Sequence, residues 1–339
     1  MTYAIVTAAK NEAALLRRTI ESVIAQNHLP SRWVIVDDGS TDPTGEIAES
    51  YASRFGWIRL VHRHSTLRRS FGAKATAFSL GCDYLVDVDY ECVGNLDADI
   101  EIGPEYYARV LERFEQDPRL GIAGGAFLEI GRDGRWHRVR SSPDSVRGAV
   151  QLFRRNCYEE VGGYLPLRRG GIDAAAEITA RSFGWHVRTF PEIVVRHLRP
   201  TGHLVGGGIQ RSVRKGIKDR SLGYGVAFET VRCLSRARER PLLLAAMARL
   251  IGYGCAWVRG DRSVLSSEVV RRFRFEQREK LAKVLSMRGS LQPFCRTDLQ
   301  STSRANIKES APFARASHSK LTETAEGRPP FVEGLEPPR

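Results

Sequence analysis

Two short acidic clusters in this 339-residue chain have the residue types and the spacing for ligand chemistry. The first is Asp37 and Asp38, which follow an apolar run and precede a turn of glycine, serine and threonine. The second is Asp97 and Asp99, which also follow an apolar approach. Acids placed after a strand lie at its carboxyl end, where open α/β sheets bind their ligands. Two such clusters predict a single site for a nucleotide and a metal ion.

The elements that must position these acids alternate between strands and helices. Apolar runs predict strands at residues 3–7, 33–36, 57–61 and 91–96. Helical periodicity predicts helices at residues 11–26, 42–53, 71–82 and 104–116. This alternation is typical of βαβ units, so we expect a Rossmann-like α/β fold whose mainly parallel sheet is flanked by helices.

The pattern becomes less regular after residue 120. It predicts a hairpin of strands 122–130 and 136–139, a helix or a strand plus helix at 150–161, a helix at 173–183, and short strands at 187–189 and 193–195. Residues 1–200 are therefore expected to form one α/β domain.

The C-terminal third of the chain differs in charge. Of the formal net charge of +13, most lies in residues 201–290, which hold 19 Lys or Arg against 7 Asp or Glu. We expect residues 201–289 to be a basic helical extension that associates with an anionic membrane surface, although a merely solvated basic face is the alternative. Residues 290–339 are rich in Ser, Thr, Pro and Glu and are predicted to be a disordered tail.

The cysteines and the apolar segments indicate the compartment. The six cysteines are scattered without metal-binding spacing, which argues against a zinc site and a disulfide framework. No run reaches the roughly 20 apolar residues of a membrane span; the nearest, 242–258, is interrupted by Arg249. The N-terminus enters a strand without the basic start of a signal peptide. We expect a cytoplasmic protein that is peripheral at the inner face of the cell membrane.

Three motifs occur in an order that resembles family 2 glycosyltransferases of the GT-A fold. They are VDDGSTD at 36–42, LDAD at 96–99, and GGID, ARSFGW and FPEIVVRH within 170–197. The resemblance covers about the first 200 residues. It implies an inverting, metal-dependent enzyme that moves a sugar from a nucleotide-sugar donor, expected to be a UDP-sugar, to a hydroxyl of a lipid-linked or polysaccharide acceptor.

The resemblance also implies which residues contact the donor nucleotide. Asp38 would contact the base, and Asp97 the ribose or a metal-bound water. The whole predicted set is Thr7, Ala9, Asp37, Asp38, Arg69 and Asp97. The alternative for the first acidic pair is that it only caps the turn that follows. For Arg69 the alternative is a solvated surface charge.

The predicted cofactor is a divalent metal ion, Mg²⁺ or Mn²⁺. Such an ion neutralises the charge that develops on a diphosphate leaving group, and hard ions prefer carboxylate oxygens. The resemblance makes Asp99 a metal ligand and His197 a further candidate, with a structural role as the alternative for His197. The pair Asp87 and Asp89 has the same spacing but is predicted to lie in a solvated loop.

Asp173 is the predicted catalytic residue. Transfer with inversion needs one base to deprotonate the acceptor hydroxyl, and in the family an acid at the start of a helix does this. The family usually has Glu-Asp where this chain has Ile172 and Asp173. The alternative is that Asp173 only caps its helix, in which case Glu177, one turn later, is the reserve base.

The processive members of the family carry a Gln-x-x-Arg-Trp motif and several membrane helices. Residues 151–155 lack the tryptophan, so we expect one sugar to be transferred per encounter. A sugar-nucleotide nucleotidyltransferase is a second hypothesis, but residues 8–12 lack the glycine-rich phosphate loop it would need. A third is a basic nucleic-acid-binding protein; because aromatic and basic residues do not alternate, no nucleic acid is expected as a partner.

Overall fold

The structure is a computed structural model that describes residues 1–64, 70–131, 133–199, 208–235 and 243–289, without the side chains of 284–289. Arg69 and the predicted tail 290–339 therefore lie outside the described residues. The strands are β1 (Tyr3–Ala9), β2 (Arg32–Asp37), β3 (Ile58–His62), β4 (Cys92–Asn95), β5 (Ile100–Ile102), β6 (Leu120–Ile130), β7 (Trp136–Arg138), β8 (Leu152–Arg154) and β9 (His186–His197).

The helices lie between these strands and after the last of them. They are α1 (Ala13–Ile24), α2 (Thr44–Ala52), α3 (Phe71–Asp83), α4 (Tyr106–Gln116), α5 (Arg155–Val161), α6 (Ile172–Ser182), α7 (Gly208–Ser221), α8 (Val226–Ser235), α9 (Leu244–Val258) and α10 (Ser267–Gly289). The predicted elements are confirmed to within a few residues, and residues 150–161 form a strand followed by a helix.

One sheet organises the first 200 residues. Its strand order is β3-β2-β1-β4-β8-β6-β9-β5, and β7 pairs with β6. The first four strands are parallel, as are β6 and β9, whereas β8 is antiparallel to both β4 and β6. The sheet is therefore mixed but mainly parallel, and the α/β fold expected from the sequence is confirmed. Its core strands β1, β2 and β4 are buried almost throughout and mostly apolar, as is usual for parallel strands in an α/β fold.

Strand β9 was predicted as two short strands, but the structure shows a single strand. It pairs with β6, and its register shifts between Gly125, opposite Phe190, and Ala126, opposite Val194. Pro191 lies in this bulge, where a missing N–H is tolerated, so the proline does not end the strand. The short strand β5 was not predicted, since three residues carry too little periodicity.

The start of α1 also differs. The helix was predicted from residue 11, but its N-cap is Glu12, and Asn11 has a positive φ of 55°. The side chain of Asn11 accepts from the Thr41 N–H at 2.8 Å, which ties the loop after β1 to the turn after β2. Asn tolerates this backbone region better than most residues.

The C-terminal extension packs on α6, the helix that carries Asp173. Its apolar residues form a second cluster with two residues of α6; the members are Ala175, Ile178, Leu222, Leu265, Val269, Val270 and Phe273. Helices α7 and α9 cross at glycines, and a Cβ at Gly216 would lie 1.9 Å from the Arg249 carbonyl oxygen. None of the helices in the described ranges is long and apolar enough to cross a membrane; α9 covers most of the apolar segment 242–258.

Candidate active site

Asp37 stabilises the turn that follows β2. Its Oδ1 accepts from the Ser40 N–H at 3.0 Å, and its Oδ2 lies 3.4 Å from His62 Nδ1. The side chain is almost buried, and a Cβ at Gly45 would lie 2.9 Å from Oδ2. Asp37 therefore caps the turn, which is the alternative role that the sequence suggested for it.

Asp38 is held differently. Its backbone N–H donates to the Ala9 carbonyl at 2.8 Å, so the pairing of β1 and β2 extends to this residue. Its carboxylate accepts from Arg63 Nη1 at 2.8 Å, and the side chain is only 6% exposed. The same Arg63 nitrogen lies 3.3 Å from the Ala73 carbonyl oxygen in α3. Asp38 thus carries a charge compensated by an arginine that the sequence analysis did not single out.

Thr7 and Ala9 lie at the end of β1, as predicted, but their side chains are enclosed. Thr7 Oγ1 donates to the Leu96 carbonyl at 2.7 Å and accepts from Trp33 Nε1 at 3.0 Å. Neither residue has exposed surface. Thr7 therefore joins β1 to the approach of the second acidic cluster, and its predicted nucleotide contact would have to be made without its hydroxyl.

Asp97 lies beside a lysine from α3. Its Oδ1 accepts from Lys74 Nζ and, at 2.7 Å, from Asn95 Nδ2. Ser70 caps α3 by accepting from the Ala73 N–H, so the start of this helix is fixed where Lys74 can reach the acid. In contrast, the rival acids at 87 and 89 lie in an exposed turn, as predicted.

Asp99 and His197 face each other across the end of the sheet. The distance from Asp99 Oδ2 to His197 Nε2 is 3.6 Å, and the two side chains are 10% and 15% exposed. Arg199 Nη1 is 3.9 Å from the same oxygen. Burial alone would raise the pKa of Asp99, but the neighbouring His197, Arg199 and Lys74 outweigh it and lower this pKa. The carboxylate is therefore ionised at neutral pH.

His197 is oriented by a second carboxylate. It pairs with Ile100 of β5 on one side and with Glu129 of β6 on the other. Its Nδ1 lies 3.1 Å from Glu129 Oε1. Burial alone would lower the pKa of His197, but the neighbouring carboxylates of Asp99 and Glu129 raise it.

Asp99 and His197 are the two residues that could hold a divalent metal ion, with Glu129 orienting the imidazole. In metal sites the ligating histidine commonly gives its second ring nitrogen to a carboxylate, which leaves the first nitrogen for the metal. Glu129, His197 and Asp99 have this arrangement. Within the described ranges no group of three His, Cys, Asp or Glu side chains converges on one point, so further ligands would come from the substrate and water.

Asp173 is the second residue of α6. The N-cap is Gly171 at φ 89°, so Asp173 does not cap the helix and its carboxylate is not used for that purpose. A Cβ at Gly148 would lie 2.9 Å from the Asp173 Cβ, which shows that the aspartate packs against the short 3₁₀ turn 148–150.

Glu177, the reserve base, is enclosed. Its Oε1 accepts from the Val146 N–H at 2.7 Å and from Gln151 Nε2 at 3.0 Å. Burial, and to a smaller extent the charge of Asp173, raise its pKa to about 7 against the opposing effect of Arg181. Glu177 therefore holds the loop before β8 and has no open path to an acceptor hydroxyl.

A continuous series of contacts connects the acids of β2, β4 and α6. Asp38 contacts Arg63, which contacts the start of α3, and Lys74 of α3 contacts Asp97. Asn95 Nδ2 then joins Asp97 to the Gly148 carbonyl at 2.5 Å. The Asp97 N–H donates to the Ala149 carbonyl at 3.0 Å, in the turn on which Asp173 packs.

Several residues in this network were missed from sequence. Arg63 follows a strand, but nothing in its neighbours distinguishes it from a surface cation. Arg199 and Glu129 were missed too; Arg199 binds the buried Glu12, with 3.1 Å between Nη1 and Oε1. Of these three residues, only Arg199 could have been noticed from the sequence, because it lies two positions after the predicted metal ligand His197.

The family follows from a match over half the chain. Residues 4–174 match the sequence profile of Glycosyl transferase family 2. The chain belongs to this family. One relative, the uncharacterized glycosyltransferase EpsJ of Bacillus subtilis, is 28% identical over 128 residues, which is 37% of this chain and 33% of EpsJ.

Other relatives act in polysaccharide synthesis. The poly-beta-1,6-N-acetyl-D-glucosamine synthase of Staphylococcus epidermidis is 24% identical over 225 residues, 60% of this chain and 51% of that protein. The chain thus spans about half or less of these curated relatives. Among solved structures, GalNAc-T7 with UDP, GalNAc and Mn²⁺ has a TM-score of 0.55 at 16% identity, with 86% of this chain and 59% of that chain covered. This similarity supports the glycosyltransferase GT-A fold.

Proposed function

We propose that this family 2 glycosyltransferase is an inverting, metal-dependent enzyme that transfers a sugar from a UDP-sugar to an acceptor hydroxyl. The observation that carries the proposal is the contact series through which Asp38, Asp97 and Asp173 share one end of the sheet. The family match favours this hypothesis over the nucleotidyltransferase and nucleic-acid-binding alternatives.

The donor nucleotide would bind at Asp38 and Asp97. Carboxylates suit this role because a nucleoside presents N–H and O–H donors. Lys74, which holds Asp97 here, would be within reach of the donor phosphates once the nucleotide takes its place beside the acid. Thr7, Ala9 and Asp37 would shape the floor beneath the nucleoside, and a contact from Arg69 remains a prediction.

The divalent cation would be held by Asp99 and His197, with Glu129 orienting the imidazole. When bound, a divalent cation neutralises the charge that develops on the leaving diphosphate. GalNAc-T7, the neighbour with the same fold, was solved with Mn²⁺, which makes Mn²⁺ the first ion to test. Because Arg199 lies 3.9 Å from Asp99, the carboxylate is kept charged without the ion.

Asp173 would act as the base. Its side chain is partly exposed at the start of α6 and is not engaged as a helix cap. It would accept the proton of the acceptor hydroxyl as that oxygen attacks the anomeric carbon and the bond to the diphosphate breaks. Attack from the face opposite the leaving group inverts the anomeric configuration.

The acceptor would be a lipid-linked or growing polysaccharide at the inner membrane face, with one sugar added per encounter. The named activity of the staphylococcal relatives makes UDP-N-acetylglucosamine the first donor to test. The basic extension α7–α10 places cations where an anionic surface would attract them.

The test is UDP release from a panel of UDP-sugars with β-linked oligosaccharide acceptors, in Mn²⁺ and in chelator. The proposal predicts acceptor-stimulated, Mn²⁺-dependent release and a product whose anomeric proton signal reports inversion. Metal-independent release or a retained configuration would contradict it. Pyrophosphate formed from a nucleoside triphosphate would instead support the nucleotidyltransferase alternative.

A further inference from the structure

A cavity of about 330 Å³ lies within the C-terminal extension, between α8, α9 and α10. It is separate from the acidic site described above, since the residues that form its wall come from 220–281. Its polar wall is made of donors: Gln277, the start of α8, and three arginines, Arg220, Arg274 and Arg278.

Gln277 is a buried donor without an acceptor. The residue is only 3% exposed, and its Oε1 accepts from the Gly225 N–H at 2.9 Å, which fixes the orientation of the amide. Its Nε2 has no hydrogen-bond partner among the described residues. An unsatisfied buried donor costs about 1–3 kcal/mol, so a bound acceptor would remove a penalty that the protein otherwise carries.

The first turn of α8 faces the same cavity. The residues from Gly225 to Phe228 line it, and α8 begins at Val226 and is ten residues long. The first N–H groups of a helix have no partner within the helix, and the helix dipole adds partial positive charge there. Helix starts of this kind bind phosphate groups.

The three arginines supply positive charge to the cavity wall. Among the described residues, no carboxylate forms an ion pair with Arg220, Arg274 or Arg278. Arg220 Nε is also buried and has no hydrogen-bond partner in the part of the chain that the structure describes. By contrast, the nearby Arg232 and Arg249 both bind Asp219, at 2.9 Å and 2.7 Å.

The wall of the cavity combines apolar and cationic residues. Trp257 and Val226 line it and are 61% and 60% exposed. A neighbouring groove of about 690 Å³ shares the three arginines and adds Arg262 and Arg271. An anion whose phosphate carries a hydrocarbon group would satisfy both parts, because guanidinium groups match phosphate oxygens and the indole covers apolar surface.

We propose that this cavity is a binding site for a phosphate ester, namely the phosphate headgroup of a membrane lipid. Gln277, the first turn of α8 and the three arginines contact the phosphate, while Trp257 and Val226 contact the apolar part. The proposal does not depend on the sugar-transfer chemistry, and its test needs neither a donor sugar nor a metal ion.

The decisive variant is Gln277→Glu. It keeps the shape of the side chain and an acceptor for the Gly225 N–H, but it places a carboxylate where the phosphate would bind. The charge-matched control is Arg214→Gln, which removes the same unit of charge from an exposed position on α7. Arg278→Gln is the second variant, used if Gln277→Glu does not fold by circular dichroism.

Two arms identify the source of the phosphate. One measures binding of glycerol 3-phosphate by calorimetry, and the other measures co-sedimentation with phosphatidylglycerol vesicles against phosphatidylcholine vesicles. The proposal predicts binding to phosphatidylglycerol vesicles that falls about tenfold or more in Gln277→Glu or Arg278→Gln and less than about twofold in the control.

Each outcome decides the matter. Binding of glycerol 3-phosphate alone, lost in Gln277→Glu, keeps the site but overturns the lipid as its ligand. Equal losses in Gln277→Glu and Arg214→Gln would show diffuse charge attraction and overturn the site. Absence of binding in both arms would overturn it as well.

Discussion

The acids at the sheet end and the arginines of the extension handle charge in opposite ways. Asp38, Asp97 and Asp99 each have a basic side chain beside them, from Arg63, Lys74 and His197. The arginines that line the α8 cavity have no carboxylate partner within the described ranges. Both regions are formed by one folded unit, since the extension packs on α6.

The difference indicates how each region meets its ligand. At the sheet end, basic side chains already lie beside the acids, so an incoming ligand has to displace them from the carboxylates. The charges of this site are therefore balanced, and its side chains are ordered, before a ligand binds. Around the cavity beside α8, Arg220, Arg274 and Arg278 have no carboxylate partner among the described residues, so under our proposal a bound anion would compensate their charge. The paired acids at the sheet end suit chemistry on a bound donor, whereas the arginines of the cavity suit attachment of the protein to an anionic ligand.

The largest expected effect is on the base. Asp173→Asn should lower the transfer rate about 10²- to 10⁴-fold while UDP binding stays within about twofold, because the amide cannot accept the proton. The check is the rate constant for transfer beside a titration of UDP. Asp144→Asn, an exposed acid in the adjacent loop, is the matched control and should keep full activity. Equal losses in both variants would remove Asp173 from the chemistry.

Next is the proposed metal ligand. Asp99→Ala should reduce Mn²⁺-dependent turnover by about 10²- to 10³-fold, since one of two protein ligands is lost. The measurement is turnover against Mn²⁺ concentration. Asp89→Ala changes the same residue type in the exposed turn and should have no effect. If the two variants behave alike, the sheet end is not the metal site.

The buried Glu177 should make stability depend on pH. Its pKa is raised to about 7 in the folded state because of burial, above the ordinary value of 4.5. The folded state therefore binds the proton more tightly, and the contribution is full below pH 4.5 and is lost as the pH rises through about 7. The loss is about 3 kcal/mol at most. Urea unfolding at pH 5, 6, 7 and 8 measures it.

The isosteric variant isolates this contribution. Glu177→Gln keeps an oxygen for the Val146 N–H and the Gln151 amide and should flatten the decline between pH 5 and 8. An unchanged slope would mean that other groups cause the pH dependence.

The smallest effect concerns the extension itself. Gly252→Ala should lower the free energy of unfolding by about 1–3 kcal/mol, because its Cβ would lie 2.1 Å from the Val213 carbonyl oxygen. Gly254→Ala on the same helix meets nothing within 4 Å and should stabilise by up to about 1 kcal/mol. Chemical denaturation compares the two. Similar values would show that α7 and α9 do not pack closely in solution.

The succession of strands and helices along the chain and the positions of the acids could be predicted from the sequence. Asp38, Asp97 and Asp99 follow apolar strands directly, and a local pattern is enough to place them at the carboxyl ends. The helix that carries Asp173 was predictable from its period and its closing glycine. These features depend on residues that are neighbours in the chain.

The partners of the acids could not be predicted in the same way. Glu129 meets His197 only because the bulge around Pro191 shifts the register between β6 and β9. Arg63 meets Asp38 through the spacing of β2 and β3, and Thr7 turns its hydroxyl to Leu96 rather than to the ligand side. Such contacts depend on the register between strands, and the periodicity of the sequence does not report that register.

The most direct test of the shared acidic site is the melting temperature with UDP and Mn²⁺, singly and together, for the wild type and Asp99→Ala. A ligand that binds only the folded state stabilises it, by about 2.7 kcal/mol at 100 times its Kd. The account predicts that UDP raises the melting temperature strongly only with Mn²⁺, and that the variant loses this extra rise. An equal rise without Mn²⁺, or an undiminished rise in Asp99→Ala, would contradict it.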